Sequence, residues 1–216
     1  MTAIALSAIA GLAFFKQVQT AFKVVTGLLL ITLCSELIGR ILVQHHKANY
    51  PVFHFYAIVA FWIYSVIYFF LMPKFRIRMV FLLIPILFTG FSFLISLKYQ
   101  RLDSFPSINI TVSSFILIIY SLTYYKYIID LNPFEILRAK SYFWFNSSVL
   151  AYFSIQLFIW GLFNYLIKAG YNLNPLITFG AIVSTLYYLI LGYSIWLDRK
   201  NRNSDQVKSQ KDEVRT

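Results

Sequence analysis

The chain has 216 residues, of which 59% are hydrophobic and only 12% are charged. A soluble domain carries about 25% charged residues, so this composition excludes a large soluble domain and indicates helices that cross a lipid bilayer. The net charge of +11 lies in short loops and near the C-terminus, between the apolar segments, and this placement argues against a nucleic-acid-binding surface.

Seven apolar segments follow one another along the chain. The first, residues 1–15, covers only about 22 Å as a helix, less than the hydrocarbon layer of about 30 Å. No Lys or Arg precedes it, so it is interpreted as a short first span rather than a cleaved signal peptide, and a start codon placed too late is an alternative explanation for its length. Six longer segments follow, at residues 24–43, 51–72, 79–97, 107–125, 142–167 and 173–197. Because open strands cannot span lipid, the predicted fold is an all-α polytopic transmembrane bundle of about seven spans.

The distribution of Lys and Arg orients this bundle. Of the 19 Lys and Arg residues, 14 lie on the side that includes the C-terminus and five lie on the other side. Cytoplasmic loops carry an excess of these residues, so the side with 14 is predicted to be cytoplasmic and the N-terminus outside. The expected location is the inner (cytoplasmic) membrane, with multiple passes. Residues 1–198 form the predicted bundle, and residues 199–216, which lack an apolar pattern, form a predicted disordered basic cytoplasmic tail.

A carboxylate lies near the middle of the second span. Glu36 is about 4 Å from the span centre, where a charged side chain costs at least about 2.5 kcal/mol on insertion scales. Arg40 follows one turn later, and this order and spacing favour an ion pair along the helix. Two interpretations therefore stay open: a ligand, ion or proton site, and a structural ion pair that faces the bundle interior.

Polar and aromatic residues recur at every fourth position along the sixth span: Ser148, Tyr152, Gln156, Trp160 and Asn164. The fifth span has a shorter series that includes Asn109 and Tyr120. Lipid offers no hydrogen-bond partners, so these faces are expected to turn inward. They predict either a polar cavity lined by spans two, five, six and seven or ordinary hydrogen bonding between helices.

The three histidines, His45, His46 and His54, lie near the outer ends of the second and third spans. They lack the spacing of a metal site, so no metal and no cofactor are predicted, and no catalytic residue is assigned. The candidate ligand-binding residues are Glu36, Arg40, His54, Asn109, Tyr120, Tyr152, Gln156 and Trp160.

Three segments carry a resemblance to a known group: residues 35–40 (SELIGR), 49–56 (NYPVFHFY) and 143–154 (FWFNSSVLAYFS). Together they resemble a group of uncharacterised seven-helix integral membrane proteins of Bacteroidota. Some members of that group are fused to, or encoded near, histidine kinases, so the resemblance implies a sensory membrane module. The chain departs from the fused form, because its polar C-terminal segment is only about 18 residues long.

These observations favour a non-enzymatic sensory or signalling module in the lipid bilayer. An outer-facing pocket near Glu36, Arg40 and His54 would bind a small ligand or sense the bilayer, and the inner loops and tail would contact a cytoplasmic signalling partner. The alternatives are a small transporter or channel that uses the polar faces of spans five to seven, and a membrane lipid-modifying enzyme.

Overall fold

The structure, a computed structural model, describes residues 1–98, 102, 104–131 and 137–213, without the side chains at positions 131, 164, 167, 168 and 205–213. These residues form seven α-helices and a short 3₁₀ helix (Leu137–Ala139), and no strand occurs among them. The α-helices are α1 (Thr2–Ala13), α2 (Thr20–Gln44), α3 (Tyr50–Leu71), α4 (Phe75–Lys98), α5 (Ser107–Leu131), α6 (Ser141–Lys168) and α7 (Asn174–Glu213). The all-α prediction is therefore confirmed for the described part of the chain.

Six of the helices, α2 to α7, are long and apolar enough to cross a membrane. Each of them coincides with one of the six long apolar segments of the sequence. Helix α1 has 12 residues and is therefore about 18 Å long, shorter than the hydrocarbon layer of about 30 Å. The six long helices are confirmed, whereas the additional span predicted at α1 and the orientation of the termini stay predictions.

Large apolar side chains cover the outside of the helices. Leu83, Leu87 and Leu94 on α4 are each more than half exposed, and so are Ile182 and Leu186 on α7. Soluble monomers rarely expose contiguous apolar patches larger than a few hundred Å². This surface is consistent with an integral membrane protein whose helices contact lipid chains.

Helix α1 packs between α2 and α7 through contacts that only small residues allow. The Ser7 hydroxyl donates a hydrogen bond to the Tyr188 carbonyl oxygen at 2.7 Å. A Cβ atom added to Gly192 would lie 2.5 Å from Ser7 Oγ, and one added to Gly11 would lie 2.6 Å from Thr26 Oγ1. Small residues allow helices in a membrane to approach closely. One face of α1 is therefore part of the bundle interior.

A buried polar network joins α3, α5 and α6. The Tyr68 hydroxyl donates to Asn146 Oδ1 at 2.8 Å, and the Ser121 hydroxyl donates to the same oxygen at 2.9 Å. Asn146 Nδ2 in turn donates to the Ser121 carbonyl oxygen at 3.1 Å. Phe22 and Phe145, also fully buried, pack against each other edge to face beside this network. This part of the interior is closely filled, and the Asn146 side chain has partners for both its polar atoms.

A buried carboxylate joins three chain segments at the end of the bundle that holds the α1–α2 connection and the 3₁₀ helix, which we call the basic end. Asp198 on α7 is only 1% exposed. Its Oδ2 atom accepts the backbone N–H of Gln19 at 2.8 Å, and its Oδ1 atom accepts the Ser141 hydroxyl at 2.9 Å. Gln19 immediately precedes α2, so the carboxylate also lies at the positive end of that helix dipole.

Helix α7 continues past Asp198 into the segment for which a disordered tail is predicted. Arg199 Nε donates to Gln17 Oε1 at 2.6 Å, and Arg202 Nη1 donates to the Val18 carbonyl oxygen at 3.1 Å. The beginning of this segment therefore contacts the bundle, while residues 214–216 lie outside the described residues. The division of the chain at residue 198 stays a prediction.

Candidate functional site

A cavity of about 440 Å³ lies inside the bundle. This volume falls in the range of about 300–1,000 Å³ that is typical of small-molecule sites. Five helices supply its polar and charged lining, with these side chains: Thr32, Ser35, Glu36 and Arg40 from α2, Tyr56 and Tyr64 from α3, Ser113 from α5, Tyr152 and Gln156 from α6, and Ser184, Thr185 and Tyr188 from α7. Ala3 and Ile4 of α1 close one side. Spans two, five, six and seven therefore contribute polar side chains to one cavity, α1 and α3 form further walls, and apolar side chains such as Ala57, Phe61 and Leu117 also line it.

Glu36 is half-buried and lines this cavity. Tyr56, Tyr152 and Tyr188, which come from three other helices, line the same cavity. Arg40 is exposed, and the described residues include no ion pair between Glu36 and Arg40, although both line the cavity. The assignment of Glu36 to a ligand, ion or proton site stays a prediction.

Tyrosine side chains connect the helices that form the cavity wall. The Tyr56 hydroxyl lies 2.9 Å from Thr32 Oγ1, which joins α3 to α2. The hydroxyls of Tyr64 and Tyr187 lie 2.5 Å apart and join α3 to α7. The rings of Tyr152 and Tyr187 stack with their centroids 4.1 Å apart, which joins α6 to α7. These contacts hold the cavity open in a defined shape, because each wall is attached to a neighbouring helix.

Gln156 brings an unsatisfied acceptor to the cavity. The residue is 6% exposed, and its Oε1 atom is buried without a hydrogen-bond partner among the residues that the structure describes. A buried polar atom left unpaired costs about 1–3 kcal/mol. Oε1 itself has almost no accessible surface, so a donor in the cavity reaches it only after the Gln156 side chain turns.

Aromatic rings line the cavity near the α2–α3 and α4–α5 connections, an end that we call the mouth end. The rings of Phe105 and Trp160 stack with their centroids 4.3 Å apart, and Phe53 packs against Phe105 at 6.0 Å. A second, smaller groove of about 290 Å³ shares Glu36, Arg40 and Phe53 with the cavity. The cavity therefore adjoins the protein surface beside the α2–α3 connection.

Five of the eight candidate residues from the sequence line the cavity: Glu36, Arg40, Tyr152, Gln156 and Trp160. His54 does not line it. Its Nε2 atom lies 2.9 Å from the Ser104 carbonyl oxygen and its Nδ1 atom lies 3.4 Å from Ser96 Oγ. Since a carbonyl oxygen only accepts, Nε2 carries the proton, and His54 attaches α3 to the α4–α5 connection.

Asn109 and Tyr120 also lie outside the cavity lining, buried in the bundle. Neither amide atom of Asn109 and no atom of the Tyr120 hydroxyl group has a hydrogen-bond partner in the described part of the protein. Their assignment to ligand binding stays a prediction. Asn164, the last residue of the polar series on the sixth span, has a side chain outside the described residues.

Three tyrosines of the cavity, Tyr56, Tyr64 and Tyr188, are not among the candidate residues predicted from the sequence. It also did not select Asp198, which organises the basic end. A signal was available for the tyrosines, because a buried tyrosine hydroxyl usually requires a hydrogen-bond partner and thus indicates a polar interior. No cluster of three or more His, Cys, Asp or Glu that could hold a metal ion occurs among the residues described.

Comparison with known proteins adds no assignment to this geometry. No family model matches the chain, and no curated protein or solved structure matches it. The functional interpretation therefore rests on the cavity and on the residues that line it.

Proposed function

We propose that this protein is a sensory membrane module that binds a small ligand in the cavity beside Glu36. The observation that carries the proposal is a carboxylate within an apolar helix that lines a cavity of about 440 Å³ together with tyrosines of three other helices. An ionisable residue in the middle of an apolar helix costs at least about 2.5 kcal/mol and usually marks a functional site. A bound ligand would compensate this cost.

Helix α7 supports a sensory role because it connects the cavity to the basic end. Ser184 and Tyr188 line the cavity, and Asp198 lies ten residues beyond Tyr188, about 15 Å along the helix. A ligand that binds one arrangement of α7 more tightly shifts the population towards it. The segment after Asp198 would then present the change to a cytoplasmic signalling partner.

The proposal includes seven spans of the inner membrane, of which the short helix α1 is one. The mouth end then faces outwards, and the basic end faces the cytoplasm. The supporting observation is the excess of Lys and Arg on the side of the basic end. The resemblance to seven-helix proteins of Bacteroidota linked to histidine kinases agrees with this arrangement and with the sensory role.

A reporter fusion tests this orientation. We expect a reporter enzyme that works only in the cytoplasm to be active when it is fused to the C-terminus. The same reporter inserted between His46 and Lys47, in the α2–α3 connection, is expected to be inactive because this loop lies outside. Activity at the loop and none at the C-terminus would contradict the orientation, and activity at both positions would contradict the number of spans between them.

A transporter or channel is the second candidate, and it would need a path from the cavity to the basic end. Phe22, Tyr68 and Phe145 are fully buried along this direction, and Tyr68 is hydrogen-bonded to Asn146. This packing favours a sensor over an open channel.

A cavity-filling variant tests ligand binding. Ala60 lines the cavity and is 7% exposed, so Ala60→Phe is expected to occupy space that the ligand needs. We expect a screen of small polar and charged compounds in lipid nanodiscs to find compounds that raise the Tm of the wild type but not that of Ala60→Phe. A ligand present at 100 times its Kd stabilises the folded state by about 2.7 kcal/mol, which a thermal shift detects.

The matched control is Ala151→Phe, which adds the same side chain at an exposed position outside the cavity lining. This variant is expected to keep the ligand-induced rise in Tm. If no compound stabilises the wild type, or if Ala60→Phe responds as strongly as the control, the cavity is not a ligand site. Accumulation of the stabilising compound inside proteoliposomes would support the transporter instead.

A further inference from the structure

Two side chains of the cavity wall, Glu36 and Gln156, offer hydrogen-bond acceptors. The Glu36 carboxylate can only accept when it is ionised, and Gln156 Oε1 is a buried acceptor without a partner in the described part of the chain. Two of the tyrosine hydroxyls in the wall are already engaged, that of Tyr56 with Thr32 and that of Tyr64 with Tyr187. A complementary ligand therefore brings N–H or O–H donors to Glu36, and to Gln156 Oε1 once this side chain turns towards the cavity.

The charges of the cavity lining determine whether a cationic, neutral or anionic donor group binds best. Glu36 is half-buried, whereas Arg40 is exposed at the side of the cavity that adjoins the surface groove. An anionic group placed next to Glu36 would meet a like charge, while a cationic group there would neutralise it. Ionised hydrogen bonds are also roughly twice as strong as neutral ones. The interior therefore favours a cationic donor over a neutral hydroxyl.

The aromatic residues of the mouth end favour the same ligand. Trp160 and Phe105 stack at 4.3 Å, and both line the cavity together with Phe53. Aromatic rings attract cations through their faces and provide apolar surface for a hydrocarbon body. A cavity of about 440 Å³ has room for an amine that carries a ring.

Resting on the proposed function, we infer that the ligand class is a protonated primary amine with an apolar or aromatic body. The ammonium group donates to Glu36 and to Gln156 Oε1, and the body packs against Trp160 and Phe105. A quaternary ammonium lacks N–H donors and leaves Gln156 Oε1 unpaired, so it binds more weakly than the primary amine of the same skeleton.

The test measures the binding of four probes that share one phenyl-ethyl skeleton to the full chain in nanodiscs. The probes are 2-phenylethylamine, 2-phenylethanol, 3-phenylpropanoate and trimethyl(2-phenylethyl)ammonium. We expect the primary amine to bind at least about tenfold more tightly than the other three, because only the amine brings charged N–H donors to Glu36.

Two variants assign the contacts. Glu36→Gln keeps the shape of the side chain and removes its charge, and it is expected to weaken amine binding at least about tenfold. Gln156→Leu removes the free acceptor at similar volume and is expected to weaken binding about three- to tenfold. Asp130→Asn, which changes an exposed carboxylate of α5, is the matched control and should leave the affinity unchanged. The Tm of each variant without probe establishes that it is folded.

The outcomes separate this inference from the proposed function. Tighter binding of the carboxylate probe would show anion recognition through Arg40, and equal binding of amine and alcohol would show an apolar pocket without charge recognition. Equal binding of the primary and quaternary amines would remove the role of Gln156. Each of these results overturns the amine assignment while the cavity remains a ligand site. If other compounds stabilise the wild type through the cavity but no amine does, only the amine class is wrong, whereas the absence of any binding compound overturns both.

Discussion

Replacing Asp198 by alanine is expected to lower the free energy of unfolding by about 2–6 kcal/mol, because two buried donors then lose their acceptor at a cost of about 1–3 kcal/mol each. The donors are the backbone N–H of Gln19 and the hydroxyl of Ser141. The change also removes a negative charge from the positive end of the α2 dipole. Asp198→Asn keeps one acceptor oxygen and is expected to have an intermediate effect.

Equilibrium unfolding in mixed micelles of a mild detergent and SDS measures this loss. The control is Asp130→Ala, which removes an exposed carboxylate near the end of α5 and is expected to change the free energy of unfolding by less than about 0.5 kcal/mol. Equal losses in the two alanine variants would show that the Asp198 contacts do not stabilise the basic end. If α7 couples the cavity to the basic end as proposed, Asp198→Ala also weakens signalling, although it leaves every cavity residue unchanged.

Replacing Gly192 by leucine is expected to displace α1 from the bundle and to cost about 3 kcal/mol through overpacking. Even a single Cβ at this position would lie 2.5 Å from Ser7 Oγ and 3.3 Å from the Ser7 Cα atom. The backbone atom cannot turn aside as a side chain can, so the helix itself must shift. Ala3 and Ile4 of α1 line the cavity, and ligand binding should therefore weaken together with stability.

The matched control for this variant is Gly161→Leu. Gly161 also lies within a helix, but no atom lies within 4 Å of a Cβ added there. This variant is expected to unfold at the same SDS fraction as the wild type or at a slightly higher one, because leucine forms helices more readily than glycine. A Gly192→Leu protein with the stability of this control, or with undiminished ligand affinity, would contradict the packing of α1 between α2 and α7.

The order and approximate bounds of the six long helices follow from the sequence by a local argument. A helix satisfies its backbone hydrogen bonds within its own segment, so about 20 apolar residues in a row are sufficient to predict a span. The convergence of Tyr152, Gln156 and Trp160 on the cavity follows in a similar way. Steps of four residues place side chains on one face of a helix, and a polar face in a membrane turns inward.

The hydrogen-bond partner of each polar residue depends on how the helices pack, because these hydrogen bonds join positions that are far apart in the chain. The sequence places His54 near an outer pocket with Glu36 and Arg40, but it does not predict the contact of His54 with the Ser104 carbonyl oxygen. No feature of the sequence around Asp198 predicts its contact with Gln19, which lies 179 positions away in the chain.

The apolar segments of the chain predict helices long enough to span a membrane, and they also reveal Glu36 as an unusual charge within one of them. Only the packing of the helices brings Glu36 into one cavity with Tyr56, Tyr152 and Tyr188 and fits α1 against α7 through Ser7 and Gly192. Helix formation is predictable because it depends on neighbours within about four residues. A cavity, by contrast, depends on which faces of separate helices meet and on which side chains are small enough to let them approach.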